Sequence, residues 1–169
     1  MKNFYIEKIG KILKNKNKLE SKLKVKLSMR GRNIEVKGKE IDEFIASRII
    51  KALDMGFDLE IALLLKNEEF VEEEMDIKNF TKRHNLGQIR ARIIGKEGRT
   101  LELISELSEC YIKLHENIVS IIGQPDKIKI ARNAIKKIIQ GSKQSSVYTY
   151  LEKSRNKPEL EDLGLKNKF

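Results

Sequence analysis

Cysteine, proline and tryptophan are scarce in this chain of 169 residues, which has one cysteine, two prolines and no tryptophan. The lone Cys110 excludes an intrachain disulfide, and no spacing of cysteine and histidine predicts a zinc site. The longest apolar run, Ile61 to Leu65, is far too short to span a bilayer, and residues 1–4 lack the apolar stretch of a secretory signal. We therefore expect no membrane association and a cytoplasmic location.

Positive charge is the strongest compositional signal, with a formal net charge of +10. Residues 1–51 hold 15 basic and 6 acidic side chains, residues 52–80 hold 2 and 9, and residues 81–157 hold 16 and 7. Two basic modules therefore flank an acidic connector. This pattern favours a polyanionic partner, above all nucleic acid. Acidic lipid is a weaker alternative, because no basic amphipathic helix with aromatic anchors is evident.

An internal repeat predicts the architecture. Two extended segments, Val25–Leu27 and Ile34–Gly38, are followed by a helical run, and the pattern returns as Ile112–Leu114, Ile118–Gly123 and a second helical run. The glycines that close the two hairpins are 85 residues apart but the opening segments are 87 apart, so we expect a hairpin loop two residues longer in the first copy. The helices are expected to end at Gly56 and Gly141 and to bury one apolar face each, made of Ile41, Phe44, Ile45, Ile49 and Leu53 in the first and of Ile128, Ala131, Ile135 and Ile138 in the second.

A glycine-bounded tetrapeptide interrupts two helical runs before the second hairpin. The pattern predicts a helix over 85–94, a sharp break at Gly95-Lys96-Glu97-Gly98 and a further helix over 99–108. Asp76 to Phe80 is the predicted opening strand. The order βααββα with GxxG between the first two helices is that of a type I KH domain, whose GxxG loop clamps about four nucleotides of single-stranded RNA.

The residue types around the break suit phosphate binding. Glycines let phosphate and sugar approach the main chain, and the helix that follows offers unpaired amides at its positive end. Lysine and arginine side chains would form a basic rim, and isoleucines would line a groove for bases. The predicted RNA-binding residues are Arg90, Arg92, Ile93, Ile94, Gly95, Lys96, Glu97, Gly98, Arg99, Thr100, Ile104 and Ile112. A helix-breaking turn without a ligand is the alternative for any isolated GxxG.

The wider string from Arg92 to Thr100 resembles one particular family, the partner-of-Nob ribosome assembly factors shared by archaea and eukaryotes. The segments Ala52–Phe57, Val119–Gly123, Ala131–Ile135 and the stretch from Gly141 to Glu152 are also similar to that family. The resemblance is tight over about 50–155 and weaker before it. It implies a two-KH protein that binds the 3′ region of small-subunit ribosomal RNA in the pre-ribosomal small subunit, beside a PIN-domain endonuclease.

The first copy departs from this pattern. Ile9 to Leu13 looks like the helix that leads into a clamp, but Lys14-Asn15-Lys16-Asn17 stands at the clamp position without a glycine. The first KH unit is therefore interpreted as degenerate, serving as support or as a nonspecific contact. Lys14, Lys16 and Lys18 are its possible secondary phosphate contacts.

No convergent catalytic set is evident, and we expect a protein that is not an enzyme and has no cofactor or metal. The acidic run Glu72–Glu74 with Asp76 is more typical of a solvated connector than of a metal site, and His84 and His115 stand isolated. Two other functions remain open: a protein scaffold that stimulates an RNA-processing enzyme, and a general single-strand RNA chaperone.

The predicted fold class is α+β, with two type I KH domains that each place a three-stranded sheet under helices. The predicted division is 1–56 for the degenerate domain, 57–75 for an acidic helical connector, 76–141 for the KH domain with GxxG, and 142–169 for a C-terminal helix and charged tail. Val147, Tyr148 and Leu151 are expected to dock on the core, and the tail from Lys153 to fray.

Overall fold

The computed structural model describes residues 1–156, and the expectation that the tail frays falls largely on residues 157–169, outside the described part. The described residues form six strands: β1 (Lys2–Tyr5), β2 (Lys26–Arg30), β3 (Asn33–Lys37), β4 (Val71–Asp76), β5 (Tyr111–His115) and β6 (Ile118–Gly123). The same part of the chain forms seven α-helices: α1 (Ile9–Leu23), α2 (Glu40–Met55), α3 (Leu59–Leu63), α4 (Leu86–Ile94), α5 (Arg99–Ser108), α6 (Pro125–Ile139) and α7 (Gln144–Arg155). The fold is α+β with two KH units, as predicted.

The two three-stranded sheets have the same topology. The strand orders are β1-β3-β2 and β4-β6-β5, and all neighbours are antiparallel. Each hairpin closes over two residues, because Arg30 pairs with Asn33 in one and His115 with Ile118 in the other. The expected longer loop in the first copy is therefore wrong. A constant offset of 85 residues relates the two hairpins, so Leu27 and not Val25 corresponds to Ile112. The offset of 87 paired apolar residues that lie two positions apart along the strand, which share a face and therefore look alike in sequence.

The helix pair that brackets a clamp exists only in the second unit. In the first unit α1 runs without a break through Lys14 to Asn17, and the side-chain amide of Asn15 bonds the carbonyl of Lys11 at 2.8 Å. None of these residues has the conformational freedom of glycine, so the helix continues where a clamp would interrupt it. The first unit therefore has the order βαββα. It was predicted to have a degenerate clamp, and in the structure the clamp loop is absent because one continuous helix replaces it.

The opening strand of the second unit lies at Val71–Asp76, and the predicted strand at Asp76–Phe80 is wrong. Residues 77–80 form a 3₁₀ turn whose first amides are capped by the carboxylate of Asp76, which accepts from the amide of Lys78 at 3.0 Å. The strand occupies the end of the segment predicted as a helical connector; only α3 and a 3₁₀ turn at Leu64–Lys66 are helical there.

The second sheet is covered on one face and is partly covered on the other, where the two units share an interface. Its own helices pack on one face, and Ile122, which points to the other face, belongs to the apolar core of the first unit. Ser120, on the same outer face, is fully buried and donates to the Glu72 carboxylate at 2.7 Å. Burial, the largest cause, raises the pKa of Glu72. The middle strand of the second sheet is therefore buried on its outer face, whereas Glu74 on β4 and Tyr111 and Lys113 on β5, which point the same way, are exposed.

The buried side of α2 differs from the predicted one in its first turn. Ile49 and Leu53 are buried as predicted, but Ile41 and Phe44 are 62% and 48% exposed. Glu43 in the same turn is buried, and Ile41 and Phe44 lie on the side of α2 that also carries Arg48; the ring of Phe44 faces the ammonium of Lys2 at 5.1 Å. The predicted apolar face spanned about half of the helix circumference, and these two residues at its edge fall outside the buried side.

The C-terminal helix α7 docks on α5 and α6, as expected from its apolar spacing. Val147 and Leu151 are fully buried in the second core, and Tyr148 is partly buried against it. In the described residues, no helix combines the length and the apolar character needed to cross a bilayer.

Candidate nucleic-acid interface

The GxxG loop is a sharp corner between α4 and α5. Gly95 ends α4 with φ 76° and ψ 176°, Glu97 has φ 57° and ψ 26°, and Gly98 has φ 76° and ψ 7°. The amide of Gly98 donates to the carbonyl of Gly95 at 3.2 Å, which closes the turn. Three of the four positions have positive φ, which a right-handed helix does not allow, so α4 must end here. The turn reverses the chain, and α5 packs against α4.

The two glycines are required for different reasons. A Cβ at Gly95 would lie 2.1 Å from the hydroxyl of Thr100 and 2.8 Å from its backbone nitrogen, so this glycine allows the chain to pack on itself. A Cβ at Gly98 would meet nothing within 4 Å. The space above Gly98 is open, and a ligand can approach its main chain directly.

The beginning of α5 supplies donors beside this opening. Gly98 is the N-cap and has no side chain to accept from the first amides of α5, and no other side chain in the described part of the chain caps them; the amide of Arg99 donates to the carbonyl of Lys96. Lys96 and Arg99 are exposed, and the Arg99 guanidinium lies 3.5 Å from the exposed carboxylate of Glu97. Backbone amides at a positive helix end together with two mobile cations make an anion site, and a phosphate would compete with Glu97 for Arg99.

Thr100 supports the loop from inside. Its side chain is buried, and its hydroxyl accepts from Gln144 Nε2 and from the Tyr148 hydroxyl, each at 3.1 Å. Both donors lie on α7. Sequence reasoning placed Thr100 among the RNA contacts and missed Gln144; the apolar spacing of α7 predicted that Tyr148 docks but not what its hydroxyl binds.

The two arginines of α4 have structural partners, so the predicted basic rim is not formed by them. Arg90 donates to Asn117 in the β5–β6 turn at 2.5 Å. Arg92 donates to the carbonyls of Ile138, at 2.9 Å, and Ser142, at the end of α6. A guanidinium held by two carbonyls at a helix C-terminus satisfies acceptors that would otherwise be unpaired. The local sequence shows these arginines but not the distant carbonyls that hold them.

The predicted groove isoleucines divide by burial. Ile93 and Ile104 are fully buried in the core between helices and sheet, so their side chains do not reach a base, which corrects their prediction as contacts. Ile112, on β5, is only 6% exposed. Ile94, next to Gly95, is 39% exposed and presents an apolar surface beside the loop. It is the one predicted apolar contact whose side chain is substantially accessible.

The three lysines predicted as secondary contacts do not form one site. Lys14 and Lys18 are exposed four residues apart on one side of α1, whereas Lys16 points away from them and is half-buried. With no interruption in α1, there are also no open amides beside them.

Acidic residues are kept apart by the strand that carries them. Along β4, Glu73 faces α6 and pairs with Arg132 at 3.1 Å, while Glu72 points to the opposite face. His115, expected to stand isolated, pairs with Glu7 of the first unit at 2.8 Å. Within residues 1–156, Glu7, His115 and Glu116 are the one group whose potential ligand atoms all lie within 4.8 Å of one another. Two of them are exposed, and the hydrogen bond between His115 and Glu7 accounts for the proximity of these side chains.

Comparison with known proteins agrees with this geometry. Residues 71–156 match a family model described as eukaryotic type KH-domain (KH-domain type I), specifically the second KH domain of PNO1. The RNA-binding protein PNO1 of Oryzias latipes is 33% identical over 134 residues, covering 75% of this chain and 55% of the relative. A KH domain-containing protein of Methanocaldococcus jannaschii is 33% identical over 113 residues, covering 66% of this chain and 50% of the relative. The chain spans about half the length of the curated relatives it matches.

Solved structures extend the similarity to nearly the whole chain. Dim2p from Pyrococcus horikoshii superposes with a TM-score of 0.78 at 31% identity, over 90% of this chain and 99% of that one. The Dim2p of a complex with a/eIF2alpha and rRNA, from the same organism, superposes with a TM-score of 0.81 at 31% identity, over 91% and 93%.

Fold and loop together define a protein with two KH domains, of which only the second retains a GxxG corner. The chain belongs to the PNO1/Dim2 family of KH-domain ribosome-biogenesis proteins. The family resemblance expected from the string around Gly95 is thereby confirmed.

Proposed function

We propose that this protein binds single-stranded RNA through the GxxG corner of its second KH unit, and that its RNA is ribosomal. The observation that carries the proposal is the open space above Gly98 at the uncapped beginning of α5, with Lys96 and Arg99 beside it. A phosphate there would accept from main-chain amides and from both cations. A similar chain has been solved in a complex with rRNA, which supports ribosomal RNA as the ligand.

The finer proposal is that the RNA is the 3′ region of small-subunit rRNA, bound during maturation of the subunit beside a PIN-domain endonuclease. It rests on the family to which the chain belongs and on names of relatives such as pre-rRNA-processing protein PNO1 of Coccidioides immitis. We also propose that the chain is not itself an enzyme and acts in the cytoplasm. Crosslinking and sequencing of the bound RNA in cells tests the RNA region, and co-purification with the endonuclease tests the partner.

The proposed contact set is narrower than the sequence prediction. It consists of the main chain from Gly95 to Thr100, the side chains of Lys96 and Arg99, and the exposed surface of Ile94. Lys96 supplies charge without a pairing role in the described structure, whereas Arg99 must leave Glu97 to bind phosphate. Arg90 and Arg92 contribute indirectly, by holding α4 against the neighbouring turn and α6.

The test replaces Lys96 and Glu97 by aspartate, which keeps both glycines and puts negative charge at the phosphate site. Binding of a fluorescent single-stranded RNA, measured by anisotropy at several salt concentrations, is expected to weaken at least about tenfold with a shallower salt slope. Lys129→Asp is the matched control, because it makes the same change of net charge at an exposed position of α6. Circular dichroism checks that both variants fold.

A protein scaffold is the alternative function, favoured by one specific observation. The similar Dim2p was solved together with a/eIF2alpha as well as rRNA, so a protein partner has been seen for that relative. If the double aspartate variant folds and binds RNA as tightly as the unmodified chain, the clamp proposal is wrong and the scaffold alternative gains support.

A further inference from the structure

The outer face of the first sheet is open to solvent on all three strands, whereas the same face of the second sheet is buried at Ser120 and Ile122 of its middle strand. Within the described residues nothing packs on it: Tyr5, Arg30 and Asn33 lie side by side across its three strands and are all exposed. This face forms a shallow depression of about 650 Å³. Besides Tyr5, Arg30 and Asn33, its lining residues include Met1, Asn3, Ser28, Glu35 and Lys37. The repeat thus has one sheet whose middle strand is covered by the other unit and one sheet whose outer face is free among the described residues.

Equivalent positions of the two outer faces carry different chemistry. Lys37 corresponds to Ile122, which is buried in the contact between units, and Asn33 corresponds to Ile118. Tyr5 corresponds to the acidic residue Asp76 when the strands are matched through their partners. On its first and middle strands the second face is therefore apolar and acidic, beside Arg48 and Lys51 of α2, whereas the first face is basic and carries an exposed ring. The remaining strand of the second face, β5, contributes exposed Tyr111 and Lys113. If the first unit only supported the second, it would not need exposed cations around an exposed aromatic ring.

The ring of Tyr5 is held in an accessible position. It is 63% exposed, and its hydroxyl accepts from the guanidinium of Arg32 at 3.3 Å. Arg30 lies in the same cross-strand row, and Lys37 and Lys26 pair in the row at the other end of the face. Lys37 has Glu35 as a neighbour at 3.2 Å, and the other three cations have no carboxylate partner within salt-bridge distance among residues 1–156.

We infer that this face is a second RNA-contact surface, on which a base stacks on Tyr5 while Arg30, Arg32 and Lys37 bind the flanking phosphates. Stacking on an aromatic side chain beside a basic groove is how proteins hold single strands without reading their sequence. The inference rests on the proposed function in that the chain must bind RNA, but it uses a surface separate from the GxxG corner. It also gives the first unit a role after the loss of its own clamp.

The absence of tryptophan from the chain makes a direct test possible. In the full chain, Tyr5→Trp places a single indole on the face, and titration with a 20-nucleotide oligouridine should quench its fluorescence. Adding Arg30→Glu should weaken that quenching at least about fivefold, and raised salt should weaken it further. Phe44→Trp is the matched control, because Phe44 is similarly exposed on α2, outside the sheet face, and its quenching should be slight.

A Gly98→Asp change in the Tyr5→Trp background separates this inference from the proposed function. If RNA binds, as seen by anisotropy, and Gly98→Asp weakens it while the indole at position 5 stays unquenched, the second surface is refuted and the clamp stands. If the indole is quenched and Gly98→Asp changes nothing, the clamp is refuted and the sheet face stands. If quenching at positions 5 and 44 is equal, the contact is not specific to the face and the inference fails.

Discussion

The two glycines of the corner should fail in different ways when each is changed to alanine. At Gly95 the backbone lies in a region that only glycine visits readily, at a cost of about 1–3 kcal/mol for another residue. The new Cβ would also lie 2.1 Å from the Thr100 hydroxyl, and overpacking of this kind costs about 1–3 kcal/mol more. Alanine has less conformational freedom than glycine in the unfolded chain, and this offsets about 0.4–1 kcal/mol of the loss in stability. We expect Gly95→Ala to lose about 3 kcal/mol of stability.

At Gly98 the same change meets no atom, so only the left-handed backbone matters. That conformation costs an ordinary residue about 1–2 kcal/mol, and the effect on the unfolded chain offsets part of it. We expect Gly98→Ala to lose about 1 kcal/mol. Its new methyl group nevertheless occupies the space in which a phosphate would approach the amides of α5. RNA affinity should therefore fall about tenfold or more in a protein that is still folded.

Thermal unfolding followed by circular dichroism measures the first effect, and RNA anisotropy measured well below the melting temperature measures the second. For a chain of this length 1 kcal/mol corresponds to about 2–4 °C, so Gly95→Ala should melt about 6–12 °C lower and Gly98→Ala about 2–4 °C lower. Equal stability of the two variants would refute the packing role of Gly95. Full RNA affinity of Gly98→Ala would refute the approach of phosphate at that point.

Three further predictions concern the surroundings of the corner and the interface between units. Burial raises the pKa of Glu72 above its ordinary value of 4.5, so the folded chain holds this proton more tightly than the unfolded chain does. The free energy of unfolding should therefore fall as the pH rises from about 4.5 through the raised pKa. In thermal melts, Glu72→Gln should have a higher melting temperature than the unmodified chain at pH 7 and a similar one near pH 4. Thr100→Val leaves Gln144 and Tyr148 without their acceptor and should cost about 1–3 kcal/mol in chemical denaturation, against about 1 kcal/mol for Tyr148→Phe; an equal cost would contradict the shared acceptor. Burial raises the pKa of Cys110 to about 11, so iodoacetamide at pH 8 should label the native thiol about 100-fold more slowly than the unfolded one, and rapid labelling would show that the core opens there.

The repeated unit could be predicted from the sequence because its hairpins and helices have strong local patterns. Alternating residues and a closing glycine mark both hairpins, and Gly95 and Gly98 mark the corner between α4 and α5. The position of β4 could not be predicted in this way. Val71 to Asp76 contains three consecutive glutamates, and what makes the segment a strand is its pairing with β6, nearly 50 residues further along the chain.

The loop itself was predicted correctly, but most of what supports it was not. GxxG is a local pattern, and the freedom of glycine explains the corner from the residues alone. The partners of Arg92 are carbonyls about 50 residues away, and the partners of Thr100 lie on α7. Main-chain acceptors leave no mark in a sequence, so basic residues near a clamp were taken for ligand contacts although the fold uses them. The same limit applies to Ile41 and Phe44, whose exposure depends on which side of α2 the rest of the fold covers.

The docking of α7 changes what counts as the smallest working clamp. A fragment cut after Gly141 would still contain every strand and helix of a KH fold, yet it would lack the two donors that hold Thr100 and the carbonyl of Ser142 that holds Arg92. Such a fragment would have a looser corner and would release RNA faster than the longer chain. Truncation boundaries for binding studies therefore belong beyond Arg155, because the conformation of the GxxG corner depends on contacts with α7 and with Ser142 just before it.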